Sequence, residues 1–108
     1  MTADAKWKVL YTKAAAKDIK RLREPIISHV RAAVDKVSES PLPFTEGGYG
    51  KPLGNKRNHN LTGLLKVKLR GDGIRIVYRL ERTEREMIVI VVSVRDDNAV
   101  YEEAARRI

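Results

Sequence analysis

From Leu64 to Leu80 the chain reads Leu-Leu-Lys-Val-Lys-Leu-Arg-Gly-Asp-Gly-Ile-Arg-Ile-Val-Tyr-Arg-Leu. Lys66, Lys68 and Arg70 stand at alternate positions before the glycines, and Arg75 and Arg79 follow them. Side chains two apart on an extended chain share a face, so this spacing gathers cations on one surface. Preorganised ammonium and guanidinium groups bind phosphate and stabilise the charge that builds on phosphorus as a bond to it is made or broken. The plain structural alternative is a solvated basic face that protects a sheet from aggregation.

The elements that must hold these groups follow from the same stretch. Leu65, Val67 and Leu69 alternate with the first cations, and Ile74, Ile76, Tyr78 and Leu80 alternate with Arg75, Val77 and Arg79. That is the period of a half-buried strand, and Gly71-Asp72-Gly73 between the two runs is a tight-turn signal. Pairing Leu69 with Ile74, Val67 with Ile76 and Leu65 with Tyr78 makes one face apolar and sets Lys68 opposite Arg75. A slip of one residue would mix core with charge. Like charges about 5 Å apart repel by roughly 1–3 kcal/mol, and Asp72 is the single acid in the stretch. Such a face is expected to meet a polyanion.

Composition narrows the classes. The chain has 108 residues, 43% of them hydrophobic, and a net charge of +8, which fits one soluble domain with one core. The predicted hairpin contributes five positives and one negative, so half of the net charge lies in one element. This favours nucleic acid or an acidic protein as partner. A membrane surface fits poorly, because the cations follow a strand pattern. With no Cys, disulfides, thiol catalysis and Cys-bound zinc are excluded, and a reducing cytoplasm is expected. No N-terminal apolar segment resembles a signal peptide. The longest apolar run, Met87–Val92, is far short of the ~20 residues of a membrane-spanning helix.

Trp7–Tyr11 predicts a short strand, and Thr12 is an N-cap candidate for a helix over Lys13–Arg23 with Ala15, Ile19 and Leu22 on one side. Pro25 suits the first turn of a second helix, whose stripe is Ile26, Ile27, Val30, Ala33, Val34 and Val37; His29 lies at its margin. Ser40-Pro41-Leu42-Pro43 ends it. Phe44–Thr62 reads as a long basic loop with Lys51, Lys56, Arg57 and His59, and a loop of that length is often functional. Lys56 and Arg57 are therefore candidate phosphate contacts. Gly47-Gly48-Tyr49-Gly50 lacks the Gly-Lys-Ser/Thr ending of a phosphate-binding loop, and His59 has no partner at metal-ligand spacing. Met87–Val94, apolar on both faces, predicts an interior strand, and Ala99–Ile108 a terminal helix bearing Tyr101. The expected fold is α+β, in the order β-α-α-β-β-β-α. It comprises a small antiparallel sheet of about four strands, an N-terminal helical hairpin on one face and a short C-terminal helix.

In this order, Lys66-Val-Lys68-Leu-Arg70, Gly73-Ile-Arg75-Ile-Val-Tyr78, Val92-Ser-Val-Arg95 and Val100-Tyr101 resemble the RelE toxins of the RelE/ParE toxin–antitoxin superfamily. The resemblance covers nearly the whole chain. It implies a ribosome-dependent endoribonuclease that cuts messenger RNA in the decoding site without a metal or other cofactor. In that reaction the ribose 2′-OH attacks the adjacent phosphate, leaving a 2′,3′-cyclic phosphate and a 5′-OH. Lys66 would be the general base, Lys68 would stabilise the phosphorane, Arg75 would bind phosphate and Arg95 would serve the leaving oxygen. Tyr101 would stack on a base, and Arg70 and Arg79 would add phosphate contacts. Crowded cations favour the neutral amine that a lysine base needs.

The resemblance also implies partners: a RelB-like antitoxin, acidic and partly disordered, the ribosome with its message, and operator DNA through the toxin–antitoxin complex. No membrane is implied. Two departures from the family stand out. Phe44–Thr62 is long, and the segment before Tyr101 is short, so Arg95 is matched by spacing alone. Two other readings stay open: a ParE-like inhibitor of DNA gyrase without nuclease activity, and a non-catalytic RNA-binding domain.

Overall fold

The computed structural model describes residues 6–56 and 58–108. Arg57, one of the candidate phosphate contacts, lies outside the described residues. The basic stretch forms the expected hairpin, β3 (His59–Leu69) and β4 (Ile74–Glu81). Leu69 faces Ile74, Lys68 faces Arg75, Val67 faces Ile76 and Leu65 faces Tyr78, the register that alternation predicts. Gly73 supplies the positive φ of 67° in the turn, a conformation glycine adopts without a Cβ penalty.

The apolar side of this hairpin packs against two helices, α1 (Lys13–Lys20) and α2 (Ile26–Val37). Ala15, Ile19, Val30, Val34 and Val37 share one core with Leu65, Ile76 and Tyr78. The Thr12 hydroxyl caps α1 by accepting a hydrogen bond from the Ala15 N–H at 3.1 Å. Pro25 takes the N-cap of α2, one place before the first turn. His29 reaches back to the hairpin turn, its Nδ1 2.9 Å from Asp72 Oδ2. The one acid of the basic stretch is therefore engaged by α2 and does not temper the cations beside it.

Among the described residues the strands form one five-stranded sheet in the order β1-β5-β4-β3-β2, with β1 (Lys8–Tyr11) parallel to β5 (Glu86–Ser93) and the other pairings antiparallel. The α+β class and the order of the expected elements hold. The sequence expectation of a loop over 44–62 is corrected, because Lys51–Lys56 is a further strand, β2, paired with β3. Pro52, Gly54 and Asn55 disguise it. An edge strand tolerates a residue without an N–H, and Gly54 (φ 60°) sits where the register jumps, Pro52 facing Leu65 and Gly54 facing Leu61.

A second irregularity shapes the opposite face. Val77 pairs with Val91 but Tyr78 with Val89, so Ile90 is an extra residue in β5, a β-bulge. Ile90 and Val91 consequently both join a second core, with Leu53, Leu61, Leu64 and Val77 of the sheet and Val100, Tyr101 and Ala104 of α3 (Asp97–Arg107). The sheet thus lies between α1 and α2 on one side and α3 on the other. The basic face of the hairpin is shared with α3 and is not wholly open to solvent.

The far end of α3 is anchored by charge. Arg107 donates from Nη1 to Asp18 Oδ2 at 2.8 Å and from Nη2 to Asp18 Oδ1 at 3.0 Å, and its Nη1 also meets the Ile90 carbonyl at 2.8 Å. Asp18 accepts the Val92 N–H at 2.9 Å. The pair therefore occupies the edge of β5 beyond the last residue of β1, satisfying backbone groups around the bulge that would otherwise be buried unpaired. Among the described residues no helix is long and apolar enough to cross a membrane.

Candidate active site

Alternation carries Lys66, Lys68, Arg75 and Arg79 to the α3 side of the sheet, where Lys68 and Arg75 are cross-strand neighbours. The connection from β5 to α3, which carries Arg95, and the N-terminus of α3 close over this patch. Asp96 caps α3, its Oδ1 accepting the Ala99 N–H at 2.9 Å. Asp97 and Tyr101, four residues apart on the helix, fall on the same side of it and face the cations.

Lys66 is the innermost cation, with its side chain 8% exposed. Its Nζ donates to the Tyr101 hydroxyl at 2.9 Å and to Asp97 Oδ1 at 3.4 Å. The same ammonium is 5.3 Å from the centre of the Tyr101 ring, so it sits at the polar end of the ring, and the hydroxyl bond is the main contact. Arg75 donates from Nε to Asp97 Oδ1 at 2.8 Å and from Nη1 to the carbonyls of Gly73 (3.2 Å) and Arg95 (3.0 Å). One carboxylate therefore bridges two cations. Partial burial pushes the Asp97 carboxyl up, but hydrogen bonds from Arg75 and Lys66 and their charges outweigh it and hold it below its ordinary value.

The sequence expectation of an uncompensated cluster is corrected by Asp97, and the alternative of a solvated basic face does not fit Lys66, which α3 covers. The cation excess survives both corrections. A groove of about 420 Å³ is lined by Lys66, Lys68, Arg70, Asp97, Lys51 and Tyr49. Lys68, Arg70 and Lys51 are exposed, and among the described residues no hydrogen bond or ion pair engages their side chains. Tyr49, Lys51 and Asp97 were not among the sequence-derived candidates.

The remaining candidates lie elsewhere. Arg95 gives the cluster its carbonyl, while the residue lines a separate cavity at the β5 edge with Asp18, Arg21 and Arg107. Arg79 is exposed and level with Leu64 and Ile88, beyond Val77 from the groove. Lys56 pairs with His59 at the β2–β3 turn, five residues along β2 from Lys51. Among the described residues no group of His, Asp and Glu is arranged to hold a metal ion.

A model of the family described as ParE toxin of type II toxin–antitoxin system, parDE, matches residues 9–101. No curated protein matches the sequence. Among solved structures, a free-state mutant of the E. coli toxin RelE is 24% identical, with a TM-score of 0.74 over 96% of this chain and 99% of that one. The RelBE2 toxin–antitoxin complex of Mycobacterium tuberculosis is 23% identical, with a TM-score of 0.69 over 86% and 95%. A RelE mutant from E. coli bound to a RelB peptide is 24% identical, with a TM-score of 0.68 over 96% and 99%. At these identities the structures establish a common fold, and the sequence model establishes the family. The chain belongs to the RelE/ParE family of toxins of type II toxin–antitoxin systems.

Proposed function

We propose that this toxin cleaves messenger RNA on the ribosome, in the cytoplasm, through the groove between the basic hairpin and α3. The observation that supports the reading is the surplus of cations there: Lys51, Lys66, Lys68 and Arg70 line a groove with one carboxylate, Asp97, which also holds Arg75. Asp97 occupies the position an anion would take between Arg75 and Lys66. A substrate phosphate displaces it, and its oxygens take over the charge-assisted bonds.

With Asp97 displaced, Lys66 and Arg75 face the phosphate, and Lys68 stands beside Arg75 across the strands. Lys66 takes the proton of the 2′-OH as the 2′ oxygen bonds to phosphorus. Arg75 and Lys68 neutralise the pentavalent centre. The P–O5′ bond breaks, and the 5′ oxygen takes a proton from a water molecule at the open mouth of the groove, beside Lys68. The Tyr101 ring is buried in the second core and not free to stack on a base, so Tyr101 serves by positioning Lys66, whose Nζ donates to its hydroxyl. The ribosome aligns the reacting atoms, an effect worth about 7–11 kcal/mol when complete. Arg95 acts through its carbonyl by fixing Arg75. An acidic antitoxin segment laid over this face both neutralises it and excludes RNA.

A second reading has one observation in its favour: the matching family model is that of ParE, and ParE-like toxins inhibit DNA gyrase without cutting RNA. The two separate cleanly. Purified toxin added to translating ribosomes should yield fragments with 5′-hydroxyl and 2′,3′-cyclic phosphate ends, and Lys68→Ala should slow cutting at least about 100-fold. Intact message together with inhibited gyrase supercoiling would replace the first reading with the second.

A further inference from the structure

The groove does not end at β3. Its far rim is Tyr49 and Lys51, neither of which the cleavage step uses. Lys51 is the cross-strand partner of Lys66, so both side chains leave the sheet on the same side, about 5 Å apart at the backbone. Tyr49, two residues before β2, is 47% exposed, unusual for a tyrosine whose backbone is so firmly held. Its N–H donates to the Ser40 carbonyl at 3.0 Å, and the Gly50 N–H to the Leu42 carbonyl at 3.0 Å. A Cβ at Gly48 would overlap the Leu42 carbonyl, and one at Gly50 the Tyr78 hydroxyl. The Tyr78 hydroxyl is itself fixed, donating to the Pro41 carbonyl at 2.7 Å. The glycines of Gly47-Gly48-Tyr49-Gly50 thus press the turn against the Leu42 backbone and leave Tyr49 standing outward.

A ring on a rigid mount, beside a groove of unpaired ammonium groups, is how proteins hold single-stranded nucleic acid without reading its edges. We propose that Tyr49 and Lys51 form a second nucleotide subsite. Tyr49 stacks the base of a nucleotide adjoining the one at the cut, and Lys51 binds the phosphate joining them. This subsite rests on reading the groove as an RNA site. From Arg75 on β4 to Lys51 on β2 is two strand spacings, about 10 Å. The RNA therefore crosses the strands from α3 to the Gly47–Gly50 turn, and the minimal substrate is longer than the two nucleotides flanking the cut.

The test is binding of short single-stranded RNAs, 2′-O-methylated against cleavage, by fluorescence anisotropy. Each is made intact and with one abasic nucleotide at successive positions, and wild type is compared with Tyr49→Ala and Tyr49→Phe. Tyr49→Ala should bind about tenfold more weakly, and Tyr49→Phe within about twofold of wild type. One abasic position should cost wild type the same factor and cost Tyr49→Ala nothing further. Equal binding by wild type and Tyr49→Ala overturns the subsite and leaves the cleavage reading standing. So does a loss in Tyr49→Ala that is the same at every abasic position. Failure of wild type both to bind RNA and to cut translated message overturns subsite and cleavage together.

Discussion

The two ends of α3 carry two charge clusters that differ in one respect. At the C-terminal end Arg107 faces Asp18 and Glu103, with the Ile90 carbonyl and the Val92 N–H completing the set. At the N-terminal end Asp97 faces Lys66 and Arg75, while Lys68, Arg70 and Lys51 stand nearby without a partner among the described residues. The first cluster is satisfied and partly buried, with Asp18 its most buried member, and it holds the helix on the sheet. The second has charge left over, and leftover charge on a rigid frame is what a polyanion can use.

The largest effect should come from breaking the satisfied cluster. Asp18→Ala strands the Arg107 guanidinium and the Val92 N–H, and truncating one partner of a buried pair costs about 3–5 kcal/mol. Chemical denaturation should show that loss, and a change below about 1 kcal/mol would mean the network does not anchor α3. At the other end Lys68→Ala should abolish cleavage while leaving stability within about 0.5 kcal/mol, as for other exposed sites. Lys66→Ala and Arg75→Ala are less clean probes, because each also strips Asp97 of a partner.

Much of this was legible in the sequence. Strict alternation on both sides of Gly71-Asp72-Gly73 specified the hairpin register, because any slip puts a lysine in the core. The apolar run of β5 marked an interior strand. Other parts were hidden for physical reasons. The pairing of Asp18 with Arg107 spans 89 positions and has no local signature. Pro52 and Gly54 concealed β2, and Tyr49 and Lys51 were lost with it. Asp97 was missed because the helix was expected from Ala99. A start at Asp97 makes Asp97 and Tyr101 i and i+4 on one face, and the Asp96 cap was the available signal.

A smaller effect concerns pH. The Asp97 carboxyl is held below its ordinary value by Arg75 and Lys66 against the opposing pull of burial, and that of Glu103 by its hydrogen bonds to Arg107 and Arg106. A carboxyl depressed on folding stabilises the fold above its unfolded value, near 4, and loses that contribution as pH falls through the folded value. Protection of the α3 amides, that is, exchange relative to the intrinsic rate at each pH, should therefore fall below about pH 4. Asp97→Asn should remove part of that acid sensitivity and tighten RNA binding up to about fivefold at neutral pH. Protection that does not change with pH would place the grip on α3 in its apolar contacts alone.

The salt dependence of RNA binding addresses the unspent charge most directly. For wild type, log K against log salt should fall with a slope of about −2 to −3, as for three or four phosphates neutralised on a single strand. Lys68→Ala should flatten that slope by about 0.7, and Asp18→Asn, in a variant still folded, should leave it unchanged. A slope that Lys68→Ala does not alter would contradict the claim that the surplus cations at the head of α3 exist to meet a phosphate backbone.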